Sequence, residues 1–199
     1  MMRLLWLLLI LSLNAWSAES AAPKKFVLIG DSLTEGYGVA RDQAYPALVQ
    51  KKLGDKVQII NASISGSTSA SAPSRMKWQL KSKPDLILLA LGANDGLRGL
   101  PVDKIEENLS AAIALAEAEH IKVILGGMYL PPNYGAEYTA QFKKVFKKVA
   151  DKHNIPMIPF LLNGVAGKAE LNQADGIHPN EKGHAIVADT VYQAVKKLL

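Results

Sequence analysis

The chain of 199 residues contains no cysteine. Disulfide cross-links are therefore excluded, although a domain of this length buries enough apolar surface to stand without them. The attachment point for a lipid at an export cleavage site is missing as well. There is no internal repeat and no low-complexity linker. Long apolar runs are scarce too: one stretch, Leu4 to Leu13, is broken only by Ser12. It is about half the ~20 residues that a membrane-spanning helix needs, so no permanent anchor is expected. At most a transient contact with membrane or lipid is expected. Charge of one sign is not concentrated anywhere. The net charge is +5, but Lys51-Lys52, Lys143-Lys144, Lys147-Lys148 and Lys196-Lys197 fall as pairs on polar helix faces. Scattered pairs of this kind read as solvated surface, not as a nucleic-acid footprint.

What is present divides into a leader and one domain. Met1-Met2-Arg3 supplies a positive start, the apolar run follows, and small residues come next at Ala15, Ser17, Ala18, Ala21 and Ala22. That is the anatomy of a secretory signal peptide. Residues 1–22 are read as this leader, with cleavage somewhere between 17 and 22, and residues 23–199 as a single domain. Removing the leader takes away Arg3 and Glu19 and leaves the net charge unchanged. The expected product is a soluble, monomeric protein of the periplasm or the medium. Hydrophobic residues at 49% and charged residues at 21% exclude a disordered chain.

Within the domain, strand and helix patterns alternate. Phe26 to Ile29 is a short buried strand ended by Gly30. Asp42 and Pro46 open a helix that stops at Leu53-Gly54. Val57 to Ile60 is a second strand. Thr68 or Ser69 begins a helix to about Ser82, with Pro73 tolerable only in its early turns. Asp85 to Leu91 is apolar without alternation, as expected of a strand covered on both faces. Pro101 and Asp103 start the longest helix, with a stripe of Val102, Ile105, Leu109, Ile113 and Ala116. Ile121 to Leu125 and Met157 to Phe160 are the fourth and fifth strands. Between them lies a helix whose apolar face carries Tyr138, Phe142, Val145, Phe146 and Val149. Asn180 caps the last helix. Strands separated by helices imply parallel pairing through right-handed crossovers, hence a three-layer α/β/α sandwich with a parallel sheet of about five strands.

Polar residues gather at one edge of that frame. Ser32 follows strand one, Asn61 to Gly66 strand two, Gly92-Ala93-Asn94-Asp95 strand three, and Asp175-Gly176-Ile177-His178-Pro179 strand five. Ligands bind in open α/β sheets outside the carboxyl ends of the strands. Ser32 alone would be read as a helix cap. A hydroxyl, a glycine amide, a side-chain amide and an Asp/His pair converging on one crevice are hard to explain as packing. They are what acyl transfer requires. A serine hydroxyl needs a base, and histidine is the side chain type suited to that work near neutral pH, which makes His178 the natural candidate. Asp175 would accept the other ring N–H and hold the tautomer.

Gly30-Asp31-Ser32-Leu33, Gly66, Gly92-Ala93-Asn94-Asp95 and Asp175-Gly176-Ile177-His178-Pro179 together resemble the four blocks of the SGNH (GDSL) hydrolase family. Asn94 to Gly99 and Leu130 to Gly135 further resemble its thioesterase I/lysophospholipase L1/arylesterase branch. The resemblance implies a flavodoxin-like strand order 2-1-3-4-5 and hydrolysis of aryl or alkyl esters, acyl thioesters and lysophospholipids. It makes Ser32, Asp175 and His178 the catalytic residues, and the Ser32 amide, the Gly66 amide and the Asn94 side chain the oxyanion donors. No cofactor or metal is implied; the partner is a small acyl ester or thioester. The G-x-S-x-G elbow of α/β-hydrolases does not occur.

Several residues invite other readings. His184 with Glu181 suggests a metal site, but not with the H-E-x-x-H spacing. His120 and His153 sit near helix C-termini, where a cation is mildly favoured. Asp95 and Asp31 read as turn-holding residues, and Met76 and Trp78 as helix core or surface. The stiff loop Met128 to Gly135 hangs over the crevice, and Leu130 is the expected acyl-chain contact. Two alternatives use the same fold: a carbohydrate or peptidoglycan O-acetyl esterase, and a non-catalytic binding module.

Overall fold

The computed structural model describes residues 22–199. The leader expected at the N-terminus thus lies, but for Ala22, outside the described residues. The domain begins with β1 (Lys24–Gly30), α1 (Ser32–Glu35), α2 (Tyr45–Leu53) and β2 (Val57–Asn61). Then come α3 (Ala72–Leu80), β3 (Leu86–Ala90), α4 (Ala93–Leu97), α5 (Val102–Ala118) and β4 (Lys122–Gly126), followed by α6 (Ala136–Lys152), β5 (Met157–Ile158) and α7 (Glu181–Val195). The five strands form one parallel sheet in the order β2-β1-β3-β4-β5, the order that the resemblance implies.

β1 is an interior strand of the sheet, and every side chain from Phe26 to Ile29 is apolar and fully buried. It pairs with β2 on one side, Val27 opposite Ile60, and with β3 on the other, Val27 opposite Ile87. β3 is buried along its whole length, as its unbroken apolar run requires. Helix α5 packs against both α3 and α6, and α2 packs against α7, which makes the two outer layers. Right-handed crossovers send the chain leftward from β1 and rightward from β3. The crevice between their carboxyl ends is therefore the topological switch point.

Some boundaries differ from the sequence reading. The helix expected from Thr68 to Ser82 starts as a 3₁₀ turn at Ser69–Ser71 and becomes α3 only at Ala72, with Pro73 in its first turn and its end at Leu80. β5 is two residues long and stops before Phe160, because Pro159 has no N–H to continue a ladder. α1 and α4 are helices of four and five residues where the sequence shows only turns. Single turns are too short for apolar periodicity to reveal.

Candidate active site

Ser32 is the first residue of α1, immediately after β1. Its helix is capped by Asp31, not by Ser32: the Asp31 carboxylate accepts the Leu33 N–H at 3.1 Å. The turn is locked from behind. Thr34 is fully buried and takes the Tyr45 hydroxyl proton on Oγ1 at 2.9 Å. A side chain at position 30 would overlap Thr34, so glycine is required where β1 meets the turn. Burial raises the Asp31 carboxyl to about 6, against the opposing pull of the Leu33 N–H, His178 and Arg75. Arg75 does not touch it; its guanidinium donates to the carbonyls of Gly30, at 3.0 Å, and Ala62.

The loop after β2 bends back over α1. Asn61 donates to the Thr34 carbonyl at 2.9 Å, and Glu35 accepts both the Ser65 N–H, at 2.6 Å, and the Ser65 hydroxyl. Gly66 follows at φ +75°, a left-handed conformation that favours glycine. Its carbonyl accepts from Arg98 at 3.2 Å. Neither the Ser32 nor the Gly66 N–H donates to an acceptor among the described residues.

After β3, Gly92 turns the chain into α4, which carries Asn94 and Asp95. The Asn94 amide donates to the Ser67 carbonyl at 3.0 Å and lies 3.5 Å from Asp31 Oδ2. Asp95 points the other way. Buried, it accepts the Ser69 N–H at 2.7 Å and the Ser69 hydroxyl at 2.6 Å. It anchors α4 to the 3₁₀ turn, the turn-holding role read from sequence.

Asp175 and His178 lie on the loop that leads into α7, whose N-cap is Asn180 as the sequence suggests. Their loop does not leave β5 directly; a long irregular segment and a 3₁₀ turn at Ala169–Leu171 intervene. Its Asp175 Oδ1 accepts the Ile177 and His178 N–H groups, both at 3.0 Å. The other oxygen lies 2.7 Å from His178 Nδ1, and His178 Nε2 lies 2.9 Å from Ser32 Oγ. Partial burial pushes the Asp175 carboxyl up, but the His178 N–H, the imidazole and the Ile177 N–H outweigh it and hold it down at about 2. An ionised carboxylate only accepts hydrogen bonds, so Nδ1 carries the proton and Nε2 is left to accept from the serine.

Ser32, Gly66, Asn94 and His178 all open into one cleft of about 760 Å³. Asp175 stands behind His178. The rest of the wall is largely apolar and includes Leu33, Leu97, Met128, Leu130, Phe160 and Ile177. Leu130 is thus on the cleft wall, while Tyr129 stacks on Phe160 at 4.4 Å between ring centroids and Tyr134 donates to the Leu97 carbonyl. Sequence reasoning missed Tyr37, whose ring lies 4.8 Å from that of His178. An aromatic residue between two glycines, Gly36 and Gly38, was the available signal.

His184 stands apart from the cleft. Buried in α7, it accepts the Tyr45 N–H at 3.3 Å, and burial lowers its pKa to about 4. Among the described residues no group of three or more His, Cys, Asp or Glu could hold a metal ion. His153 meets Glu117 at 3.0 Å, which pins α6 to α5. Trp78 is exposed and Met76 fully buried.

Comparison with known proteins identifies the family of this chain. The model of the GDSL-like Lipase/Acylhydrolase family matches residues 28–186. The chain is 39% identical over 185 residues to Esterase TesA of Pseudomonas aeruginosa, covering 91% of this chain and 92% of that one. It is 38% identical to an arylesterase of Vibrio mimicus over the full length of both chains. Identity to the Thioesterase 1/protease 1/lysophospholipase L1 of Escherichia coli is 34%, covering 98% and 94%. A crystal structure of TesA superposes with a TM-score of 0.85 at 39% identity, over 88% of this chain and all of that one. With most of its length matched by the family and relatives of this kind on both sequence and fold, the chain belongs to the GDSL-like lipase/acylhydrolase, or SGNH hydrolase, family and is an ester hydrolase of that family.

Proposed function

We propose that this enzyme hydrolyses acyl esters and thioesters, among them aryl and alkyl esters, acyl-CoA and lysophospholipids, through an acyl-enzyme formed on Ser32. The observation that carries the reading is the hydrogen-bonded series Ser32–His178–Asp175, with separations of 2.9 and 2.7 Å, at an apolar cleft. Ser32 Oγ attacks the carbonyl carbon while His178 Nε2 takes its proton, and Asp175 stabilises the imidazolium. The carbon–oxygen or carbon–sulfur bond to the leaving group then breaks, and the proton passes from Nε2 to that group. Water repeats the sequence, freeing the acid and restoring the serine. Charge that develops on the carbonyl oxygen is met by the Ser32 and Gly66 N–H groups and the Asn94 amide. Donors held ready in this way need no reorganisation at the moment of reaction.

Leu130 lines the acyl-chain groove. The apolar wall favours an acyl chain over the polar sugar that an O-acetyl esterase must hold, and a mere binding module has no use for a nucleophile with its base. The leader marks the enzyme for export, to act as a monomer in the periplasm or the medium. Among the described residues no helix is long and apolar enough to cross a membrane. The test is labelling with a fluorophosphonate, followed by turnover on p-nitrophenyl esters of varied chain length, acyl-CoA, lysophospholipid and acetylated sugars. Ser32 should carry the label, and Ser32→Ala should stay folded, unlabelled and inactive. Labelling at Ser63, Ser65 or Ser67, or fastest turnover on acetylated sugars, would refute the proposal.

A further inference from the structure

The nucleophile and its base belong to parts of the chain separated by 146 residues. Ser32 rides on α1, whereas His178 sits in the loop before α7. Apart from the Ser32–His178 contact itself, one side chain among the described residues joins the loop after α1 to the loop before α7 by hydrogen bonds. Gln173 Nε2 donates to the Tyr37 carbonyl at 2.7 Å and to the Pro179 carbonyl at 3.0 Å. Both acceptors are carbonyls, so the amide nitrogen is the only atom of this side chain that satisfies them. From the same residue, the backbone N–H donates to the His178 carbonyl at 2.8 Å. Tyr37 in turn gives its own N–H to the Ser32 carbonyl at 3.1 Å and lays its ring beside the imidazole. The contacts close a circuit: Ser32 to Tyr37, Tyr37 to Gln173, Gln173 to His178, and His178 back to Ser32. Gly38 leaves room for it, being at φ +77° with a missing side chain that would overlap the Gln173 amide.

We infer that Gln173 is a positioning residue that sets the separation between Ser32 Oγ and His178 Nε2. The inference rests on the proposed roles of those two residues. The Asp175–His178 pair is local, three residues apart within one loop, and needs no strut. Between loop and helix the constraint is not local: Tyr37 is 54% exposed and His178 lines the cleft. Proton transfer from the serine depends steeply on this distance, and a shift of ~1 Å can cost about a hundredfold in rate.

Gln173→Leu keeps the bulk of the side chain and removes its donors. On p-nitrophenyl acetate, kcat is expected to fall about tenfold or more with KM unchanged. The rate of fluorophosphonate labelling should fall in parallel, while the downfield proton resonance of His178 Nδ1–H persists, because Asp175 still holds it. A kcat within about twofold of the parent would overturn the inference, as would loss of that resonance, which would mean that the loop had collapsed. Gly38→Ala supplies a second arm. Its loss of kcat should be smaller in a Gln173→Ala background, where the obstructed amide is gone; strictly multiplicative losses would refute the coupling. Absence of labelling at Ser32 in the parent enzyme would instead refute the underlying catalytic reading.

Discussion

Asn94→Ala separates transition-state binding from structure at this site. The Asn94 amide has one good protein partner, the Ser67 carbonyl at 3.0 Å; Asp31 at 3.5 Å is too far for a strong bond. Losing a single net hydrogen bond from a half-buried position costs the fold only about 1 kcal/mol. On the proposed role the catalytic cost is larger, because the donor would meet charge that is absent from the bound ester and appears only as the tetrahedral intermediate forms. Removing one such donor costs about 3 kcal/mol, or roughly a hundredfold in kcat. The Ser32 and Gly66 N–H groups remain, so turnover should stay well above that of Ser32→Ala. The assay is kcat and KM on p-nitrophenyl butyrate, with thermal unfolding of the same preparation as control. We expect kcat about a hundredfold lower and KM within about twofold of the parent. A raised KM at unchanged kcat would refute the reasoning, since it would mean that Asn94 binds the ground state equally well.

Three further predictions follow from the same geometry. Leu130→Gly should lower kcat/KM for octanoyl esters more than for acetyl esters, since each buried methylene contributes up to ~0.8 kcal/mol; equal losses on both would mean a general disturbance of the loop. Burial disfavours the Asp31 carboxylate, so its penalty to the fold is absent below about pH 4 and complete above the folded value of about 6. The gap from 3.8 corresponds to on the order of 3 kcal/mol, and asparagine caps a helix as well; Asp31→Asn should therefore raise Tm near neutral pH, with the gain vanishing on acidification, and a gain that grew with acid would reverse the sign of this argument. Deleting residues 1–18 should leave active, soluble protein inside the cell, because β1 begins only at Lys24; an insoluble or inactive product would make the leader part of the fold.

Much of this protein was legible in the sequence, for physical reasons. The unbroken apolar runs Phe26 to Ile29 and Leu86 to Leu91 can be accommodated only as buried strands with helices on both faces, so the layered architecture follows from them. Polar residues soon after these two runs can do little for packing, and hence Ser32 and Asn94 stand out in the sequence, whereas Gly66 takes its role from the resemblance to the family's blocks. Other features depend on contacts between distant segments. That Asp31 and not Ser32 caps α1, and that Asp95 turns away to hold Ser69, is decided by which buried neighbours each carboxylate can reach. The Asp175–His178 loop was legible as an irregular segment before a helix capped by Asn180, but its distance from Ser32 was not, because irregular backbone leaves no periodic signal. The same is true of Gln173 and Tyr37: a lone amide and a lone ring gain their meaning only when folding brings residues 136 positions apart within hydrogen-bond reach. Local patterns of polarity thus determined the strands, the helices and the chemical groups at the sheet edge. Long-range packing alone decided the distances between those groups, since the free energy that sets them comes from surfaces that do not meet until the chain is folded.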